Sequence, residues 1–138
     1  MRFETGKDLE REQNCIKFFC DKFGLTYKKL EENDIDFCLY KDDKIISYAE
    51  VKGRNRNIIE AYPLPVACRK LLKLADMKTN PLIIWDCFDG IIYGRTKLIE
   101  GIIKTGGRSP RQYSTNDIEL MAYYDKQPQL IEIYKNIY

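Results

Sequence analysis

Apolar positions recur at helical spacing in the first part of the chain. Leu9, Cys15, Ile16, Phe19, Cys20 and Phe23 fall on one stripe of a helix over about 5–23, and Gly24 follows as a stop. The period then shortens. Residues 25–30 read as a short strand, and 34–40 and 45–52 are two β-rich runs on either side of Lys41-Asp42-Asp43-Lys44, which predicts a hairpin. Tyr62-Pro63-Leu64-Pro65 interrupts the chain, and a second helix is expected from Pro65 or Val66 to about residue 78, turning Leu71, Leu72 and Ala75 toward the core. Asn80-Pro81 ends it. The dense apolar run 82–88, an Asp89-Gly90 turn of the favoured hairpin type and a returning strand over 91–95 predict a second hairpin. Gly106-Gly107-Arg108-Ser109-Pro110-Arg111 reads as a loop, followed by a strand at 118–124 and an apolar tail, 130–138, of open type. The order α-β-β-β-α-β-β with a late strand predicts an α/β class with a mixed, mostly antiparallel central sheet flanked by helices.

A length of 138 residues is that of one domain, and no repeat, low-complexity tract or linker divides it. Hydrophobic residues at 44% and charged residues at 32% balance as in a soluble globular protein, and no apolar stretch is long enough to span a bilayer. The first eight residues mix charges and lack an apolar core, so no secretory signal is expected. Five cysteines (Cys15, Cys20, Cys38, Cys68, Cys87), odd in number and without a C-x-x-C pair, read as reduced core thiols in a cytoplasmic setting. The absence of histidine excludes Ser-His-Asp and Cys-His nucleophilic catalysis and histidine metal centres. Any chemistry must come from carboxylates and lysines.

Net charge is only +2, yet its distribution is uneven. Bases gather at 52–56, at Arg69-Lys70 with Lys73, and at Arg108 with Arg111, while acids gather at 10–12 and 31–43. Such separation gives a local basic surface on a nearly neutral protein, or simply solvated charge.

One constellation carries chemistry. Alternation along a strand puts Glu50 and Lys52 on one face and Ala49 and Val51 on the other. Whether Asp36 joins them depends on register. A two-residue turn at Asp42-Asp43 sets Asp36 across from Ala49, on the wrong face; a three-residue turn at 42–44 sets it across from Glu50 and sets Asp34 across from Lys52. The second register is the one expected. Carboxylates opposed in this way have Cβ atoms about 5 Å apart and repel unless a cation lies between them. Oxygen ligands without imidazole or thiolate favour Mg²⁺ or Mn²⁺, and phosphodiester hydrolysis follows, with Lys52 orienting water or stabilising developing charge.

Asp-Ile-Asp-Phe-Cys-Leu at 34–39, Ala49-Glu50-Val51-Lys52-Gly53 and an acidic residue on the first helix together resemble the PD-(D/E)XK, or restriction-endonuclease-like, nuclease superfamily, including Holliday junction resolvases and small phage-borne nucleases. The resemblance runs from about Gly6 to Asp89, and Asn33 and Ile35 flank Asp34 where the family motif has proline. It implies that Asp36 and Glu50 bind metal, that the Val51 carbonyl adds a ligand and that Lys52 is the catalytic lysine. The helical acid falls between Glu10 and Glu12. Glu12 is favoured as a catalytic and metal-binding residue, because it lies within the apolar stripe and faces the sheet. The helix after the hairpin usually adds a polar group, making Arg69 and Lys70 candidates beside a plain solvated face, and Arg54 and Arg56 are placed to grip a phosphate backbone.

The resulting expectation is a Mg²⁺- or Mn²⁺-dependent nuclease acting on nucleic acid, DNA ahead of RNA, with a homodimer as one arrangement. Two other classes remain open: a nucleic-acid-binding module that has lost catalysis, and a protein-interaction domain. Trp85 and the ten tyrosines are read as core rather than base-stacking groups.

Overall fold

The stripe of Cys15, Ile16, Phe19 and Cys20 is buried and seats helix α1 (Gly6–Phe23) on one face of a sheet. Gly24, at φ +66°, lets the chain turn, and the Leu25 N–H donates to the Cys20 carbonyl at 2.9 Å, a Schellman-type end. The computed structural model describes residues 6–30, 35–75, 79–107 and 118–135.

The elements that follow α1 are β1 (Thr26–Lys29), β2 (Phe37–Lys41), β3 (Lys44–Gly53), a 3₁₀ turn (Ile58–Glu60), β4 (Leu64–Ala67), α2 (Cys68–Ala75), β5 (Leu82–Asp86), β6 (Gly90–Arg95), β7 (Ile102–Gly107), β8 (Ile118–Tyr124) and β9 (Ile131–Tyr134). Six strands form a sheet in the order β1-β2-β3-β5-β6-β9, with β3 and β5 parallel and every other pair antiparallel. A three-stranded sheet, β4-β8-β7, lies beside it. The large sheet is sandwiched. Under α1 lie Phe37, Leu39, Ala49, Val51 and Ile84. On the opposite face Ile83, Trp85 and Ile92 pack with Leu64 and Val66 of β4, Leu74 of α2 and Tyr124 of β8. All five residues of β5 are therefore buried, which is why the segment reads as an unbroken apolar run rather than an alternating one. No helix among the described residues is long and apolar enough to cross a membrane.

The fold is α/β with a mixed central sheet, but several elements differ from expectation. The second helix starts at Cys68, not at Pro65 or Val66, because 64–67 pair with β8 as a strand. Pro65 fits there because β4 is an edge strand, where a missing N–H breaks no ladder, and its carbonyl accepts the Trp85 indole N–H at 2.9 Å. The shift re-phases the helix: Leu74 is buried, Leu71 is partly buried, and Leu72 is 69% exposed and Ala75 exposed, contrary to the expected core role of those two. Residues 76–78 lie outside the described residues. The second hairpin turns at Phe88-Asp89 rather than Asp89-Gly90, since the Cys87 N–H donates to the Gly90 carbonyl at 2.9 Å. Gly90 is needed for a different reason: a Cβ there would run into the Ile133–Tyr134 backbone of β9. Residues 102–107, including Gly106-Gly107, are a strand and not a loop, while 108–117 lie outside the described residues. The apolar tail supplies β9. All five cysteines are free, and all but Cys68 are buried.

Candidate active site

The hairpin β2–β3 sets the geometry. Its turn has two residues, Asp42 and Asp43, both with positive φ (51° and 63°), the backbone of the primed hairpin turns and not the expected three-residue loop. Near the turn the pairing is Tyr40 with Ile45; one step further it is Leu39 with Ser47, so Ile46 is an extra residue in β3, a bulge. Beyond the bulge the pairing is Cys38 with Tyr48 and Phe37 with Ala49, the register that continues to Asp36 opposite Glu50. The expected register is thus reached by a different route. Asp34 lies outside the described residues.

Among the described residues the ladder with β2 stops at Phe37 and Ala49, so the last residues of β3 are paired only with β5. Asp36 fills the gap, its Oδ2 accepting the Val51 N–H at 2.8 Å. A cleft of about 490 Å³ opens here, with α1 contributing Asp8, Arg11 and Glu12, β3 contributing Glu50, Val51, Lys52 and Gly53, and α2 contributing Arg69 and Lys70. Asp36 and Asn55 complete its wall. The two sheet faces therefore meet around one strand end.

Glu50 is 2% exposed. Its Oε1 lies 3.0 Å from Lys70 Nζ and 3.9 Å from Lys52 Nζ, and its Oε2 is buried without a hydrogen-bond partner among the described residues. Burial pushes the Glu50 carboxyl upward, against the pull of Lys70 and then Lys52. Asp36 is pushed up to about 6, first by burial and then by the Glu50 charge, with the Val51 N–H opposing. Burial lowers Lys52, the negative charge of Glu50 working the other way. Desolvation makes both carboxyls resist ionisation even with Lys70 and Lys52 beside Glu50, and a ligated cation would favour their charged forms. The orphaned Oε2 has the chemistry of a hard-cation ligand, and Asp36, Glu50 and the Val51 carbonyl fit Mg²⁺ or Mn²⁺ better than a soft metal. Among the described residues no three His, Cys, Asp or Glu side chains cluster as a metal site, so the fit rests on this pair and main-chain oxygen.

Of the other residues singled out in the sequence, Glu12 reaches the cleft and its Oε2 receives Lys29 Nζ at 2.7 Å; Glu10 is exposed and does not line it. Arg69 is on the rim with Glu119 at 3.4 Å, and Lys70 is largely buried against Glu50, not part of a solvated helix face. Arg54 turns elsewhere: its Nε donates to the Ala61 carbonyl at 2.9 Å and its Nη2 to the Pro63 carbonyl at 3.5 Å. Arg56 is exposed beyond the cleft wall. Trp85 is fully buried. Sequence reasoning passed over Arg11, whose guanidinium reaches Asp86, seventy-five residues away, at 2.8 Å. Its place four residues before Cys15, on the edge of the apolar stripe, was the signal for it.

A second hollow, about 560 Å³ and shallow, lies around Lys126, Pro128 and Glu132. Its carboxylate is already held by the Tyr62 hydroxyl at 2.7 Å and Lys126 at 3.7 Å.

A mixed sheet with α1 on one face, and an acidic pair and a lysine converging where β3 ends, defines the restriction-endonuclease-like class of α/β proteins. The chain belongs to the family described as phage putative PDDEXK endonuclease, whose model matches residues 1–128. No curated protein and no solved structure matches the chain.

Proposed function

We propose that the protein is a divalent-metal-dependent nuclease that hydrolyses phosphodiester bonds in nucleic acid, DNA ahead of RNA, in the cytoplasm. The observation that carries this reading is the Glu50 carboxylate, buried with one oxygen on Lys70 and the other without a partner among the described residues, in the same cleft as an Asp36 carboxyl pushed up to about 6. Lys70 and the Val51 N–H meet only part of the need of these two buried carboxyls, and a cation bound to the remaining oxygens would meet the rest.

In this reading Asp36, Glu50 and the Val51 carbonyl hold Mg²⁺ or Mn²⁺, with Glu12 behind them. The bound cation supplies Lewis acidity at the phosphate and lowers the pKa of its water. Lys52 lies on the same strand face as Glu50, where its ammonium orients the attacking water and meets the charge that develops on the phosphate. The water oxygen would bond to phosphorus and give up one proton to solvent, the P–O bond to a sugar oxygen would break, and the departing oxygen would take a proton from the Lys52 ammonium or from solvent. Burial lowers Lys52, which eases proton exchange with either oxygen. Lys70 holds Glu50 in place, and Arg69 and Arg56 meet the phosphate backbone from α2 and from beyond β3.

The test is cleavage of plasmid, single-stranded and branched DNA and of RNA with Mg²⁺, Mn²⁺ or EDTA, beside Lys52→Ala and Asp36→Ala. Cleavage that needs the dication and falls about 100-fold or more in both variants is the expected result. Cleavage surviving both substitutions refutes the mechanism. Binding without cleavage under every condition identifies a nucleic-acid-binding module on this fold, and neither identifies a protein-interaction domain. Sedimentation with and without duplex reads out a homodimer.

A further inference from the structure

Among the described residues that line the cleft, Arg11 is a cation with no part in the mechanism above. Arg11 stands on α1 at the cleft wall, a third exposed, and three of its five N–H donors are fixed within the protein. Nε donates to Asp86 Oδ2 at 2.8 Å, Nη2 to the Asp86 carbonyl at 2.7 Å and Nη1 to Asn55 Oδ1 at 2.7 Å. One N–H remains on each terminal nitrogen. The charge is not cancelled, because Asp86 is shared: Lys135 Nζ lies 3.7 Å from its other carboxylate oxygen, so one carboxylate faces two cations.

Asn55 is set by the same contact. Its oxygen accepts from Arg11, so its amide NH₂ points away from the guanidinium, and the residue is exposed on the cleft wall. The backbone is cleared for this arrangement at Gly53, where a Cβ would lie 2.8 Å from Arg11 Nη1. Arg11 therefore packs against the residue next to Lys52. By contrast, Arg54, the more obvious choice in the sequence, turns to carbonyls of the 61–63 segment and does not line the cleft.

We propose that Arg11 and Asn55 form a phosphate subsite for the nucleic-acid backbone, adjacent to the phosphate held at Asp36 and Glu50. The inference rests on the nuclease reading above. A pre-organised fork of N–H donors with residual positive charge is the arrangement that recognises a phosphodiester, and it costs little ordering on binding because Asp86 has already ordered it. The subsite sets the path of the strand through the cleft and carries no base preference.

Truncating Arg11 would leave Asp86 buried beside one distant lysine, so the informative variant is Asn55→Asp, which keeps Arg11 in place through an added ion pair but puts a negative charge where the phosphate sits. Gln13→Glu, exposed and on the other side of α1, makes the same charge change away from the cleft. Binding of labelled duplex and single-stranded oligonucleotides is measured by fluorescence anisotropy in EDTA over a salt series, together with thermal melting. The expected result is a loss of affinity of about tenfold or more for Asn55→Asp, similar for all sequences, with the salt slope reduced by about one, no fall in melting temperature, and less than about a twofold change for Gln13→Glu. Equal affinities for Asn55→Asp and Gln13→Glu overturn the subsite and leave the nuclease reading standing. Failure of the unmodified protein to bind any oligonucleotide, in EDTA and again with Ca²⁺ in its place, overturns both.

Discussion

Asp36→Asn is the most informative single change, because its effect on stability has a sign and a pH window of its own. In the metal-free protein the Asp36 carboxyl is pushed from 3.8 to about 6 by burial and the Glu50 charge. An acid raised in this way favours the folded state when protonated: its contribution is fully present below about pH 4 and is lost as pH rises through about 6. The difference amounts to about 3 kcal/mol, a large part of the stability of a domain this size. Asparagine retains an oxygen to accept the Val51 N–H and carries no charge, so the variant escapes the loss. Urea unfolding in EDTA is expected to show wild type and variant within about 1 kcal/mol of each other at pH 4.5, the variant gaining as pH rises and leading by about 2–3 kcal/mol at pH 7.5. Mg²⁺ at a hundred times its dissociation constant then adds about 2.7 kcal/mol to wild type and much less to the variant. A gap between the two that stays constant from pH 4.5 to 7.5 would show that Asp36 ionises freely, and the argument from a charge-starved site would fall with it.

Three further substitutions probe the frame. Gly90→Ala forces a Cβ into the β9 backbone at Ile133 and Tyr134 and is expected to cost about 3 kcal/mol or more in urea unfolding; a change within about 0.5 kcal/mol would refute the β6–β9 register. Gly53→Ala meets only the end of a long side chain, Arg11, so a loss of about 1 kcal/mol is expected in thermal melting, with a larger one placing Arg11 under tighter constraint than its contacts imply. Trp85→Phe removes the indole N–H donated to the Pro65 carbonyl, a loss of about 1–2 kcal/mol with oligonucleotide affinity unchanged; reduced affinity at wild-type stability would place the ring against bases and not in the core.

What could be read from the sequence was what local periodicity encodes. The middle of the α1 stripe, Cys15 to Cys20 but not its exposed ends Leu9 and Phe23, the Gly24 stop and the β2–β3 hairpin follow from spacing alone, and so does the shared face of Glu50 and Lys52. The errors arose where tertiary pairing overrides local preference. Pro65 is a good first residue for a helix, yet the chance to pair with β8 as an edge strand wins, and the helix starts three residues later. Asp89-Gly90 has turn chemistry, but Gly90 is chosen for the close passage of β9, which is remote in sequence. The same blindness hid Arg11, whose partners Asn55 and Asp86 no spacing rule connects to it, and the carbonyls of Ala61 and Pro63, of which the positive charge around Arg54 says nothing. Spacing left Lys70 a candidate beside a plain solvated face, because the face of α2 that turns inward is set by its packing on β4 and β8.

The tight Asp42-Asp43 turn and the surplus Ile46 offset one another in parity, and that has a genetic consequence. Losing one residue from this stretch by itself would rotate everything between the tip and Asp36 by half a pleat and deliver that carboxyl to the side of the sheet occupied by α1. Two compensating changes, or a longer loop without the surplus residue, would leave the centre intact. Kindred sequences can therefore differ in length around 42–46 while keeping the same chemistry, and a gap there in an alignment is no sign of a lost active centre.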